Sequence, residues 1–571
     1  MRRHALAFAL VLVAACGGGG GGGGNDGGGG GGGGGGSDPV ASHGGWTRGG
    51  NGTATGGGAG EVRIVSYGGD VQVKKATTLP AAPTVSPTLP GLGANPRTIS
   101  ADTELDPDLD DHVAGDLGGT ATGLWVKAGA TATLVGDGND WATLRVAEGI
   151  VVDGTLRLHF RAGQPKDRGF AHLYARALHV SETGVVEYTG ASGGGAGGTL
   201  QVETVQGITN RGLIDGRGGD GPSGGRGGQV VLEAGSGWLL HAGTIRANGG
   251  AATAGGGGQA GYVSLVVPCF TNSGGDGDVA VTGLVENRGG AGTLAGGPGG
   301  FVRVGSCAGF AVVTATLDSR GGPGSAGPGG DGGDIDVQAV NDGLWFLGKA
   351  ISAGGDGSGA SGGDGGEIGL QSRTLSARNG GALAAYVLAD LDATGGDGAS
   401  GGNGGLCELQ VWQNAIAPAT AGPLVVAGVD ALLANGGDGG QAGGGAGPIS
   451  IYSEAVAGAA PSPAGNVSIE PAIESFGGKA TAANGAGGHA NEVFLSGKVV
   501  TAPKVLANGG PPGPGGPGGD GGVVTVESTG GTSILAGALS VKGSAGTPAG
   551  NHGSVTVDGA AKSLTAGVYT P

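Results

Sequence analysis

Residues 332–370, GGDIDVQAVNDGLWFLGKAISAGGDGSGASGGDGGEIGL, contain one complete repeat unit and the start of the next. The unit opens with two glycines and an alternating strand (GGDIDV, 332), passes through an apolar burst (GLWFLGK, 343), and closes on an apolar residue shortly before a glycine pair (AISAGG, 350). A glycine-rich loop (354–367) then leads to the next opening strand, GGEIGL at 365. Period-two alternation predicts strands rather than helices.

The same opening recurs from residue 198 to the end, and one apolar residue can be aligned in each copy: Leu200, Val230, Val263, Val302, Ile335, Ile368, Cys407, Ile449, Val493, Val524 and Val555. Successive members lie 30 to 44 residues apart. The alternation puts these side chains inward and Ser264, Arg303, Asp336, Glu408 and Thr525 outward. Closing strands recur too, among them LIDGRGG (213), TIRANGG (244), TLDSRGG (316), LLANGG (432) and VLANGG (505). Three short strands per unit, each too small to bury its own face, predict a solenoid built by stacking.

The pattern resembles right-handed parallel β-helices, the pectate-lyase-like architecture also used by surface adhesins. The fold class expected from that resemblance is all-β, a right-handed parallel β-helix with its Gly-rich loops stacked at one corner. Strand period and pattern carry it over residues 113–571, with no family-specific catalytic motif. Thirteen to sixteen coils at roughly 4.8 Å give roughly 60–75 Å of rod.

Glycine makes up 146 of 571 residues, a level normally associated with low complexity. Here apolar residues bracket each group of glycines. The loops read either as flexible solvated segments or as stacked polyproline-II-like strands whose backbones approach closely because they are glycine. GGDGGDIDV (329–337) nearly matches a calcium-binding nonapeptide, but Asp336 stands where an apolar residue belongs and the nine-residue tandem period is missing.

The formal net charge is −17, and basic residues are scattered singly, so the footprint required for nucleic acid is absent and docking on anionic lipid through a basic patch is disfavoured. At the amino terminus, Arg2 and Arg3 precede an apolar run from Ala5 to Val13, then Ala14, Ala15 and Cys16. This run is too short for a permanent span and reads as an export signal. LVAAC closely resembles the lipobox of bacterial lipoproteins, which implies diacylglycerol on the Cys16 sulfur, cleavage before it, and palmitate-type anchoring by more than one chain. Val13 and Ala15 also suit an ordinary signal peptidase. By the lipoprotein resemblance, Gly17 favours the outer membrane, on its periplasmic face or at the cell surface.

These features divide the chain into a signal peptide (1–15), a Gly-rich tether (16–55), a segment with a strand pair, a Pro-rich loop and an acidic cap (56–112), and the repeats (113–571). Within the third, DTELDPDLDDH (102–112) reads as a solvated cap over an open sheet end or, through Asp106, Asp108, Asp110 and Asp111, as a Ca²⁺ site. No other cofactor is expected. Cys269 and Cys307 close equivalent strands of successive units and are expected to form a disulfide in an oxidising compartment.

Catalytic residues are not expected: HExxH and the P-loop motif are both missing. His159, His172 and His179 form only a loose cluster. The leading expectation is a non-enzymatic structural or adhesive surface lipoprotein, with membrane and possible polysaccharide or cell-surface partners. Two rivals stay open: a polysaccharide-acting lyase or hydrolase, whose acids would come from adjacent coils, and a glycine-loop array that binds ice, glycan or another cell.

Overall fold

The alternation set out above produces strands throughout. The computed structural model describes residues 46–571 apart from 106–120, 137–140, 161–169, 236, 269–276, 308, 359, 374–382, 389, 413–420 and 457–462; no described residue is helical. Strands gather into long, chiefly parallel sheets, and the chain passes through three faces in turn, the first two joined through shared strands and the third made of a ten-stranded and a five-stranded part. We call one such pass a circuit. The first sheet collects the opening strands, the second the apolar bursts and the third the closing strands.

Strand register matches the sequence alignment residue for residue. Leu200, Val230, Val263, Val302, Ile335, Ile368 and Cys407 are successive partners in the first sheet. Ile449, Val493, Val524 and Val555 continue the row. All eleven are at most 1% exposed. A slip of one residue would turn every one of them to the outside, so burial itself fixes the register. The second sheet stacks Leu239, Val279, Ala311, Leu344, Ala385 and Leu424, and the third stacks Ile214, Ile245, Val285, Leu317, Ala350 and Leu391. These rows meet in one apolar core. Of the residues expected outside, Arg303, Asp336, Glu408 and Thr525 are at least partly exposed, whereas Ser264 is covered to 4%.

No described strand between Cys407 and Ile449 in the chain fills the row between them. Val62 fills that place: Val62–Tyr67 pairs with Leu406–Trp412 on one side and Ile449–Glu454 on the other. Val71–Val73 is inserted likewise between Ala421–Ala427 and Val467–Ile469 in the second sheet. In the third, the Trp46 carbonyl accepts from Ala393 N at 3.0 Å and Thr47 N donates to the Leu433 carbonyl at 3.4 Å. Trp46, Val62, Ile64, Val71 and Val73 are all fully buried. Residues 46–73 therefore form a whole circuit interposed in the middle of the stack.

Three expected boundaries change as a result. The tether ends by Trp46 rather than at 55, because the indole is core and Gly52–Thr55 is a strand paired with Gly398–Ser400. The strand pair expected to lead the repeats sits within them. The stack itself begins at Arg97–Ile99, which pairs with Leu124–Val126, not at 113. From Arg97–Ile99 to Ile534–Leu535 the second sheet makes fourteen strand-to-strand steps, roughly 67 Å of stacking. Thr103–Leu105 is the terminal strand of the third sheet, which places the start of the acidic segment at a sheet end. Asp106, Asp108, Asp110 and Asp111 lie outside the described residues.

One buried polar pair makes folding pH-dependent. Asn210 and His241 are fully buried; Asn210 Nδ2 lies 3.0 Å from His241 Nδ1, and His241 Nε2 lies 3.2 Å from the Leu284 carbonyl. The neutral imidazole satisfies both contacts, accepting from the amide at Nδ1 and donating at Nε2. Burial lowers its pKa to about 4, whereas the unfolded chain takes up this proton near 6.5. The contribution to stability is complete above pH 6.5 and declines as pH falls towards 4, on the order of 3 kcal/mol across the window. In denaturant titrations the wild type is expected to lose stability over that window more steeply than His241→Asn.

Candidate functional site

Two surfaces carry polar chemistry on hydrogen-bonded backbone: the outer face of the first sheet and the glycine loops.

On the sheet, side chains two residues apart along a strand share the outer face, and register stacks them between circuits. Near its start, Glu203 and Glu233 are direct register partners. His172 Nε2 is 3.4 Å from Glu203 Oε1, Gln201 Nε2 donates to the same oxygen at 2.6 Å, and the Arg145 guanidinium lies 4.3 Å from the centre of the Tyr174 ring. The adjacent His172 imidazole holds the Glu203 carboxyl below its usual range. Burial, reinforced by the Glu203 charge, pushes Glu233 up.

Further along the face, Arg303, Asp336, Gly369, Glu408 and Arg63 are successive partners. Asp336 Oδ2 accepts from Gln338 Nε2 at 2.8 Å and lies 4.0 Å from Arg303 Nε; burial raises its pKa. Arg63 Nη1 reaches Glu408 Oε1 at 2.9 Å. Gly369 leaves a notch between the two acids, two strand spacings or roughly 9.6 Å apart along the backbone. Beside this row the Tyr262 and Phe301 rings stack 5.5 Å apart and within 4° of parallel.

Of the histidines singled out in the sequence, His172 belongs to the first cluster. His179 faces out from the second sheet, where it lines a pocket of about 460 Å³ with Arg211 and Pro87, and burial lowers its pKa. The side chain of His159 is outside the described residues. Sequence reading missed Glu203 and Glu233, although both stand three places after an aligned apolar residue.

Each glycine loop runs out from a closing strand and back into an opening one, and its backbone is hydrogen-bonded both across itself and to its neighbours. Gly330 N donates to Gly322 O at 2.9 Å, Gly355 N to Gly330 O at 2.8 Å, Gly363 N to Gly355 O at 2.9 Å and Gly396 N to Gly363 O at 2.8 Å. The zigzag continues through Gly402, Gly50, Gly57, Gly437 and Gly444, so the interposed circuit carries it without a break. Glycine is needed here for close approach. A β-carbon on Gly363 would fall on the Gly330 carbonyl oxygen, one on Gly330 on that of Gly297, and one on Gly402 on that of Gly363, all far inside van der Waals contact. None of these residues has a left-handed φ. The glycines recur as GGX, the three-residue period of a polyproline-II strand.

The X positions build side-chain ladders over this backbone. Asp331 Oδ1 accepts from Asp364 N at 2.9 Å, Asp364 Oδ1 from Asn403 N at 2.7 Å, and Asn403 Oδ1 from Gly58 N at 2.9 Å. On the outgoing strands Asp356, Asp397, Asn51 and Asp438 repeat the arrangement. Asp331, within the nonapeptide-like stretch, is thus a rung of a ladder. Among the described residues no group of three or more His, Cys, Asp or Glu is arranged to hold a metal ion.

Cys307 is disulfide-bonded. Cys407 is a free, buried thiol whose Sγ donates to the Trp46 carbonyl at 3.4 Å. Cys269 and Cys16 lie outside the described residues; Val267 and Ser306 are register partners just ahead of Cys269 and Cys307.

No family model, curated protein or solved structure matches the chain.

Proposed function

We propose that the chain is an exported, lipid-anchored structural and adhesive rod. In this reading the circuits form a right-handed parallel β-helix, in keeping with the near-universal hand of crossovers between parallel strands. Cys16 carries the lipid, residues 17–45 form the tether, and a Cys269–Cys307 bridge staples adjacent circuits in an oxidising compartment. The supporting observation is the unbroken backbone zigzag through the glycine loops: it ties each circuit to the next from Gly195 to Gly550 without presenting a reactive group. The outer face of the first sheet, with its stacked Tyr262 and Phe301 and its hydrogen-bonded polar ladders, is the contact surface, suited to polyhydroxyl polymers through ring stacking and hydrogen bonds.

The test is expression of the full chain in a lipoprotein-processing bacterium. Wild type is expected to incorporate labelled palmitate, fractionate with the outer membrane and make cells adhere to glycan-coated surfaces. Cys16→Ser is expected to lose label and anchoring together, and adhesion with them. Label-free wild type, or adhesion unchanged by Cys16→Ser, refutes the reading.

The opposed pKa shifts at Glu203 and Glu233 favour a second reading, cleavage of a polysaccharide, since acid–base pairs are built by such divergence. The adhesive reading expects no release of reducing ends from a polysaccharide panel. Turnover abolished by Glu233→Gln would replace it with the enzymatic one.

A further inference from the structure

We infer that residues 46–73 are a detachable complementing circuit, and that the slot they fill accepts the same segment from a second copy of this chain.

Outside the circuit itself, every backbone partner is remote in sequence: Val62 pairs with Cys407 and Ile449, and Val71 with Leu424 and Val467. Gly50 and Gly57 carry the loop zigzag between Gly402 and Gly437. Without the segment, the strands Leu406–Trp412 and Ile449–Glu454 would face each other at roughly twice the strand spacing, each with an unpaired edge. The continuing chain is already built for that gap. From Cys407 to Ile449 it climbs two levels instead of one, the extra level falling between Ala427 and Ala431, where it turns at Gly428 with φ 72°; Gly428 N donates to Ala76 O at 3.1 Å and Val429 N to Lys74 O at 3.1 Å, where the segment leaves.

The covalent link from the circuit to the rest of the described body is a strap, residues 74–96. It runs from the middle of the stack to its first strand, eleven strand-to-strand steps along the second sheet, roughly 53 Å. As an extended Pro-rich chain it reaches about 70 Å, enough to span that distance with little slack. It is fastened near its ends, through Lys75 N to Glu470 Oε2 at 3.0 Å and through Leu92 O and Asn95 to Thr122. Residues 77–91 form no hydrogen bond with another described residue. The slot recognises backbone edges and the apolar side chains of Trp46, Val62, Ile64, Val71 and Val73; none of that recognition depends on which chain supplies them. In dilute solution the strap's high effective concentration favours the chain's own segment, and crowding of anchored copies favours exchange.

The test uses the full chain with a site-specific protease sequence inserted between Thr84 and Val85. After cleavage of the folded protein, the amino-terminal fragment is expected to co-elute with the body in native buffer. Two cleaved populations, one tagged on the body and one on the fragment, are then mixed at a denaturant concentration that releases the fragment and returned to buffer. Fragments are expected to scramble to the mixing ratio, with β-sheet circular dichroism of the body retained throughout. Immediate loss of the fragment on cleavage, collapse of the body on its release, or release without re-binding to the other population each overturns the inference.

Discussion

Gly363→Ala is expected to destabilise the protein by about 3 kcal/mol or more, an unusually large effect for adding one methyl group in a loop. The new β-carbon would meet the Gly330 carbonyl oxygen and carbon, and both are backbone atoms already fixed by the zigzag. No side chain is available to swing aside, so two neighbouring circuits must separate. Gly445→Ala is the matched control. It lies in an equivalent glycine run, but the nearest atom to its β-carbon position is His489 O at 3.9 Å, and a change within about 0.5 kcal/mol is expected. Equilibrium denaturation of the two variants checks both values, and equal costs would mean that the loops are not close-packed.

Trp46→Ala is expected to cost about 3–5 kcal/mol, the range for removing a large aromatic side chain from a core. Trp46 is fully buried and is packed at the level where the interposed circuit enters the third sheet. Its indole nitrogen is buried with no hydrogen-bond partner among the described residues, so Trp46→Phe should recover most of the loss: the side chain acts through volume. The same denaturation experiment reads both variants, and a cost for Trp46→Ala below about 1 kcal/mol would place the residue outside the core.

Much of the fold was legible because burial enforces register. Leu200 to Val555 could be aligned by eye since each heads an alternating strand after glycines, and each strand stacks on the equivalent one a circuit later. Placing Val62 between Cys407 and Ile449 was not legible. EVRIV at 61–65 has the opening-strand pattern, but a hydrophobic pattern specifies which face is buried and leaves open which circuits are neighbours. The outer face suffered for the same reason. Asp336 followed by Gly369 reads as a broken ladder in sequence order, yet the next two partners are Glu408 and, from the interposed circuit, Arg63. Glu203 and Glu233 carried a usable signal, an acid at the same offset in successive units, which is not a local motif. The loops were ambiguous because glycine is equally the residue of flexible chain and of close backbone packing; the GGX period distinguishes the two.

That distinction is also the most direct test of the rod. Amide hydrogen exchange on the intact protein should find the loop amides of Gly330, Gly355, Gly363, Gly396 and Gly402, each donating to a neighbouring glycine carbonyl, protected to the same degree as the strand amides of Val337 and Leu370. Exchange of those glycine amides at unstructured-chain rates, with the strands still protected, would contradict the account and reduce the loops to flexible decoration.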